Sequence, residues 1–488
     1  MKKLVSATDV ERALAASLDR WTDRPGPLYQ RLAGALRDAL DHDIPAGAAL
    51  PPERRLATLL AVSRTTVVAA YRILRAEGRL ASRQGSGTRA AGPVPSSQPS
   101  RPAPPASMVT FRSLIDRDAA AIDLATAGLG AEGILTRDLL ADASAELSSL
   151  TGSVGYFPHG LPSLRQAVAR HLSGHGLPTS EQQILVTSGA QQAINLLARL
   201  HAGHGTSVVL ENPTYAGALD AFAAAGARLL EIPVEEEPGR RAPLRQLLRR
   251  ERPRLLYLMP TFQNPTGAVS TVARRQQLAA LAAEHHALLI EDNTLEALAI
   301  GPAPPPPVAS LGQHGNIVTI GSLSKIAWAG LRVGWIRACQ QLIGRLVMLK
   351  TAEDLGSSVP SQTLGRAVLD DFSRVSALRA GQLRGCLELA AGLLRDRLPD
   401  WSFNLPAGGQ SLWLRLPCGD AESFARAALR HGVTVIPGSQ LSPDGSFRDH
   451  IRLQFLQPSD VLCEGIRRLA AAWDGYTAAG TRSLGVIA

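Results

Sequence analysis

Cysteine is scarce in this chain. The four present, Cys339, Cys386, Cys418 and Cys463, form no CxxC pair and no ligand-like spacing. That argues against a disulfide framework and against a zinc site, and points to reduced thiols with no metal. No run of about 18 apolar residues occurs, so no helix is expected to span a membrane. Lys2 and Lys3 are followed by Asp9 and Glu11 instead of an apolar stretch, so no signal peptide is expected. Aromatic residues are few, at 4%, yet hydrophobic residues reach 45%, enough for large cores. A soluble, cytoplasmic protein of two or three domains is expected over 488 residues.

The charge that is present is unevenly spread. Residues 1–92 hold 15 Lys and Arg against 9 Asp and Glu, a net +6 out of +9 for the whole chain. A small basic part ahead of a nearly neutral one suggests a polyanion partner for the first part only. Leu28, Leu32, Leu36 and Leu40 mark the apolar stripe of a first helix. Pro45 and Gly47 break the chain, and Pro52 opens a second helix with Leu56, Leu59 and Leu60 expected inside. Ser63 suits the N-cap of a third helix, with Val67, Tyr71 and Leu74 on one face and Gly78 as its stop. Two helices at a tight turn make a helix-turn-helix, whose second helix offers its first turn to the major groove. The stretch Ala81 to Thr88 fits a hairpin wing with a glycine-rich tip. Arg72, Arg75 and Arg79 are expected to be solvated or to face phosphate.

The segments PLYQRLAGALRDAL, LPPERRLATLLAVSRTTVVAAYRILRAEGRL and SRQGSGT resemble the winged helix of the GntR family across residues 25–90. The resemblance implies a double-stranded DNA operator as partner. It also implies DNA contacts from Arg54, Ser63, Arg64, Thr65, Thr66, Gln84 and Gly85. A DNA-binding domain is therefore expected over residues 1–90. Residues 91–107 carry six prolines and no apolar period. Such a linker is extended, at up to roughly 3 Å per residue, or about 50 Å in all.

Beyond the linker, short apolar runs alternate with helical stretches. The strand candidates are Ile184–Thr187, Ser207–Leu210, Arg228–Ile232, Leu255–Met259, Ala287–Glu291, Asn316–Ile320 and Val333–Ile336. The alternation predicts an α/β domain over 108–379, a mostly parallel sheet with helices on both faces. Ligands of such sheets sit at the carboxyl ends of the strands. A small C-terminal α/β domain and tail are expected over 380–488, with strands Ser411–Leu416 and Ile451–Leu456, helix Glu422–Arg430, and the last dozen residues free of structure. Gly301 to Pro307 reads as a surface loop.

Four motifs fall at strand ends. Thr187-Ser188-Gly189-Ala190-Gln191 enters a helix and makes an anion cradle. Asn264 begins an Asn-Pro-Thr-Gly turn, and Asp292 closes a buried strand, where a carboxylate needs a partner. Ser322-Leu323-Ser324-Lys325 is followed seven residues later by Arg332. A lysine among hydroxyls with an arginine nearby suits a ligand carrying an aldehyde and a phosphate. Taken alone, this last stretch reads more simply as a surface lysine after a strand, and the other motifs decide.

Together TSGAQQ, NPTG, ED and SLSK, in this order over residues 120–475, resemble the fold type I aminotransferases that bind pyridoxal phosphate. With the DNA reader in front, the whole chain resembles a MocR-type transcriptional regulator. The resemblance implies that Lys325 forms a Schiff base with the cofactor and that Asp292 keeps its pyridine nitrogen protonated. Asn264 would hydrogen-bond the ring hydroxyl and Tyr215 would stack on the ring. Gly189, Ala190, Ser322, Ser324 and Arg332 would hold the phosphate. Tyr156 would reach a phosphate across a homodimer interface, and Arg452 would clamp the carboxylate of an amino acid. As residues, Tyr215 and Tyr156 also fit ordinary half-buried aromatics, and Arg452 an ion-pair partner. The chain departs from the family at Thr294, where a tyrosine usually donates to the ring oxygen. Threonine is too short for that reach, which argues against strong transaminase activity. The implied function is regulation by sensing the cofactor or a small amine or amino acid effector. The rival is a working aminotransferase with a DNA-binding extension.

Overall fold

The computed structural model describes residues 21, 27–42, 44, 48–60, 62–76, 80–83, 87–90, 121–126, 128, 130–234, 243–312 and 315–484. They form two compact units that divide between Ala103 and Pro104.

The first unit has three helices, α1 (Leu28–His42), α2 (Glu53–Leu59) and α3 (Arg64–Ala76), then an antiparallel hairpin of β1 (Leu80–Arg83) and β2 (Gly87–Ala90). Helices α2 and α3 turn through 119° at their junction, as in a helix-turn-helix. Leu32, Leu36, Leu56, Val67, Tyr71 and Leu74 form the core. The buried Tyr71 hydroxyl donates to the Pro51 carbonyl at 2.8 Å, which satisfies it. Leu28 and Leu59, expected inside, are 48% and 54% exposed. Leu56, Ala57 and Leu60 share the inner face of the short α2, and at 3.6 residues per turn Leu59 points about 110° away from it. Arg75, expected to be solvated or to face phosphate, instead donates to Glu53 at 3.1 Å and to Thr88 at 3.4 Å, tying α3 to α2 and the wing. Gln84 and Gly85 lie outside the described residues.

The second unit opens with β3 (Ile122–Asp123) and then builds a sheet from β4 (Ile184–Thr187), β5 (Ser207–Asn212), β6 (Arg228–Pro233), β7 (Leu255–Leu258), β8 (Leu288–Asp292), β9 (Ile317–Ser322) and β10 (Gly334–Arg337). The spatial order is β4-β10-β9-β8-β7-β5-β6, parallel except for β10. Every residue of β4, β7 and β9 is buried. Helices cover both faces of such a sheet, so its strands read as unbroken apolar runs.

The chain then passes through the 26-residue helix Phe372–Arg397. A domain boundary at 379/380 falls inside this one helix. The smaller part holds β11 (Ser402–Phe403), β12 (Ser411–Arg415), β13 (Val433–Thr434), β14 (Ile436–Pro437) and β15 (His450–Gln454). Four of these form an antiparallel sheet in the order β11-β12-β15-β14, while β13 pairs in parallel with β3. The first strand of the unit therefore sits on its C-terminal part, which brings Ala125 against Arg452. Of the expected tail, residues 477–484 belong to helix Ser459–Leu484, and 485–488 lie outside the described residues. Leu462, Ile466 and Leu469, fully buried, dock that helix. No single helix among the described residues is long and apolar enough to cross a membrane.

Candidate functional site

The carboxyl ends of β4, β7, β8 and β9 converge, as the topology requires. Past β4 the chain turns at Gly189, in a positive-φ conformation (125°), and helix Ala190–His201 begins there. A Cβ on Gly189 would stand 3.1 Å from Nη2 of Arg332. The guanidinium therefore lies directly at the helix N-terminus, where free N–H groups and the helix dipole favour an anion. Arg332 itself holds φ 54°, ψ 47°, a left-handed conformation that an arginine rarely adopts. Ser322 donates its hydroxyl to the Val333 carbonyl at 3.1 Å and accepts the Ser324 N–H at 3.2 Å. The Ser324 hydroxyl is buried with no hydrogen-bond partner among the described residues. A buried hydroxyl left open beside an arginine and a helix N-terminus fits a phosphate group.

At the other end of the site stands Asp292. Its Oδ2 accepts the Tyr257 hydroxyl at 2.6 Å, and its Oδ1 accepts the Thr294 N–H at 3.0 Å. Both groups are donors, so they fix the carboxylate in place with acceptor capacity left toward a donor such as a pyridinium N–H. Tyr257 was not singled out in the sequence, where it is one residue of the apolar run Leu255–Leu258. The contact joins neighbouring strands and leaves no mark in local spacing. Gln191 was also missed as a contact: its Oε1 accepts the Tyr215 hydroxyl at 2.9 Å, while its Nε2 donates to the Gly217 carbonyl at 2.9 Å. A side chain at Gly217 would collide with that pair, at 2.2 Å from Gln191 and 2.6 Å from the Tyr215 ring. Burial, with Asp292 adding to it, pushes the Tyr215 phenol up to about 12, so it remains a donor.

Arg452, on β15, is 4% exposed. It donates to Asn264 Oδ1 at 3.1 Å and to the Ala125 carbonyl at 2.9 Å, and its Nε has no partner among the described residues. No described carboxylate forms an ion pair with it, so the ion-pair reading fails among these residues. A buried guanidinium without an anion is a seat for one. Burial brings Arg452 down to about 10, still cationic at neutral pH.

Lys325 lies half-buried among these groups. Burial first, then the Arg452 and Arg332 cations, lower its amine to about 8, against a smaller opposing effect of Asp292. Much more neutral amine is present near pH 7 than for an ordinary lysine. Attachment of an aldehyde to the cofactor-free protein should therefore accelerate as pH rises through about 8 and level off above it. Stopped-flow absorbance checks this, and a rate still climbing at pH 10 would contradict the shift. Tyr215 lies near enough to Asp292 to feel its charge, Asn264 accepts from Arg452, and Ala190 opens the helix whose preceding Gly189 faces Arg332. Tyr156 is 66% exposed in the single chain.

On the first unit, Ser63 caps α3. Its Oγ accepts the Thr66 N–H at 3.2 Å and lies 2.7 Å from Thr65 Oγ1 and 2.8 Å from Thr66 Oγ1. The Arg64 side chain is 70% exposed, its Nη2 4.0 Å from Glu53 Oε2, and Arg54 is also exposed. Arg64 and the Ser63, Thr65 and Thr66 hydroxyls stand together at the start of α3, while Arg54 is exposed on α2.

Family models match both parts of the chain. "Aminotransferase class I and II" covers residues 137–466, and "Bacterial regulatory proteins, gntR family" covers residues 28–89. A 2-aminoadipate transaminase of Thermus thermophilus is 32% identical over 72% of this chain and 90% of its own. The probable rhizopine catabolism regulatory protein MocR of Rhizobium meliloti is 30% identical over 87% of this chain and 88% of its own. Among solved structures, the α-aminoadipate aminotransferase LysN of Thermus thermophilus, complexed with N-(5'-phosphopyridoxyl)-L-leucine, aligns at a TM-score of 0.69. It is 31% identical, and the match covers 76% of this chain and 95% of that one.

Proposed function

The chain belongs to the MocR-type regulators, a GntR-family winged helix joined to a class I and II aminotransferase domain that binds pyridoxal phosphate, and we propose that its cofactor site senses a small amine or amino acid. The observation that carries this reading is one site holding Lys325, Asp292, Asn264 and Arg452 in a chain that also carries a DNA reader. Bound there, pyridoxal phosphate supplies an aldehyde and an electron-withdrawing pyridinium ring. Lys325 would hold the cofactor through its amine, which burial and the neighbouring cations lower to about 8. Asp292, fixed by Tyr257 and the Thr294 N–H, keeps a proton on the ring nitrogen. The N-terminus of helix Ala190–His201, with Arg332 and Ser324, would hold the phosphate. Arg452, already oriented by Asn264 and Ala125, takes the carboxylate of an amino acid. Tyr215, held by Gln191, closes one face of the ring against water.

A homodimer supports this reading, with Tyr156, exposed in one chain, serving the partner's site. The cytoplasm, where the DNA is, suits it as well. Thr294 favours sensing over turnover. A phenol at this position would hydrogen-bond the ring oxygen and compete with Lys325 for a share of that oxygen's electron density. The visible band of the cofactor-loaded protein should therefore titrate at lower pH in Thr294→Tyr than in the natural protein. An equal or higher midpoint in the variant would contradict the role given to Thr294.

The test of function is a panel of amino acids with a keto acid. A spectral shift without turnover supports the sensor, and sustained turnover supports the rival reading of a working aminotransferase.

A further inference from the structure

A cavity of about 500 Å3 opens beside the ends of β8 and β9. Thr319, Gly321 and Trp335 line it, and strand alternation puts them on the sheet face opposite Asp292, while Ser322 and Thr294, at the edge of the Lys325 site, border it as well. Its walls are apolar and rich in rings. His171 stands 4.3 Å from Phe372 and 6.3 Å from Trp335, centroid to centroid, and the run from Pro304 to Pro307 completes the lining. Among the described residues that line the cavity there is one carboxylate, Glu296, and no lysine or arginine.

Glu296 makes no side-chain hydrogen bond or ion pair with any described residue, so its oxygens are left to the cavity. Its carboxyl is raised to about 7 by burial, then by Glu291, with Arg275 opposing. Burial, with His175 beside it, lowers His171 to about 3, so that ring is neutral. Asn293, 6% exposed and also in the lining, has neither its carbonyl oxygen nor its amide nitrogen partnered among the described residues, and the Thr294 hydroxyl and Trp335 indole N–H are open as well. The cavity thus combines a carboxylate, open uncharged polar groups and aromatic rings, with no lysine or arginine among the described residues that line it.

We propose that this cavity binds a small organic ammonium cation, with Glu296 as counter-ion and Trp335, Phe372 and His171 as the wall against its apolar body. An anion would find open N–H and O–H donors but would face the Glu296 carboxylate with no described lysine or arginine to offset it, and a neutral ligand would leave that carboxylate desolvated and alone. A cation gains both the carboxylate and the ring faces. This site is independent of the sensing assigned to Lys325.

The probe is benzyltrimethylammonium, which has no N–H and cannot condense with the cofactor aldehyde. Calorimetry on the full cofactor-loaded chain near pH 7, in two buffers of different ionisation enthalpy, should show saturable one-site binding. A fraction of a proton should leave, because a bound cation lowers a carboxyl that is otherwise about half protonated there. Glu296→Gln should weaken binding by about tenfold or more and abolish the proton release. Lys325→Ala should bind as the natural protein does. Neopentylbenzene, the neutral isostere, should bind more weakly. The proposal is overturned if no saturable binding appears at millimolar probe, if Glu296→Gln binds equally well, or if Lys325→Ala abolishes binding.

Discussion

Lys325→Ala should yield a folded protein without the visible absorption band of covalently held pyridoxal phosphate. The loss should be complete, since no other lysine stands at the convergence of the strand ends. Folding should survive. Lys325 is held down to about 8 by burial and by the Arg452 and Arg332 cations. Its charged form is thus disfavoured in the native protein relative to the unfolded chain, and alanine removes that cost. The melting temperature of the cofactor-free variant should equal or exceed that of the cofactor-free natural protein. A visible band that persists in Lys325→Ala would displace the lysine from its assigned role. Asp292→Ala should keep the band but bind the cofactor about ten- to a hundredfold more weakly, because a buried charged hydrogen bond is lost.

The second large effect concerns DNA. Arg64 extends from the first turn of α3, 70% exposed and only distantly paired with Glu53 at 4.0 Å. If it reads a base edge, Arg64→Ala should cost about 1–3 kcal/mol at the operator and relax the preference at one position. Arg54, exposed on α2, suits a phosphate contact. Arg54→Ala should weaken all sequences alike and flatten the salt dependence by about one unit of slope. Binding curves across salt concentrations separate the two. Natural-like operator binding by both variants would mean that this helix is not the reader.

Much of this architecture was legible before the structure. The seven strands of the large sheet fall within one or two residues of their sequence limits. For the inner ones this is because strands buried on both faces keep continuous apolar runs, whereas β6 is a mostly uncovered edge strand. The motifs at their ends were legible for the same reason, since chemistry at strand ends interrupts those runs. What escaped the sequence was made by long-range pairing. β3 is two residues long, too short for any period to show, yet it brings Ala125 to Arg452. Tyr257 reaches Asp292 across a strand pair and Gln191 reaches Tyr215 from another helix, so neither contact has a local signature. Arg75 looked like one more surface cation until Glu53 and Thr88 were found on either side of it. The final stretch of the last helix, Thr477 to Leu484, shows no apolar period in the sequence and reads there as a tail, whereas the structure carries the helix through it.

The regulator reading turns on coupling between the cofactor site and the DNA. The most direct measurement footprints the cofactor-loaded protein on the DNA upstream of its own gene, with and without each amino acid that shifts the visible band. The sensor account predicts that such a ligand changes the protected region or its affinity, while no keto acid is consumed over the same interval. Steady consumption of keto acid with an unchanged footprint would contradict it.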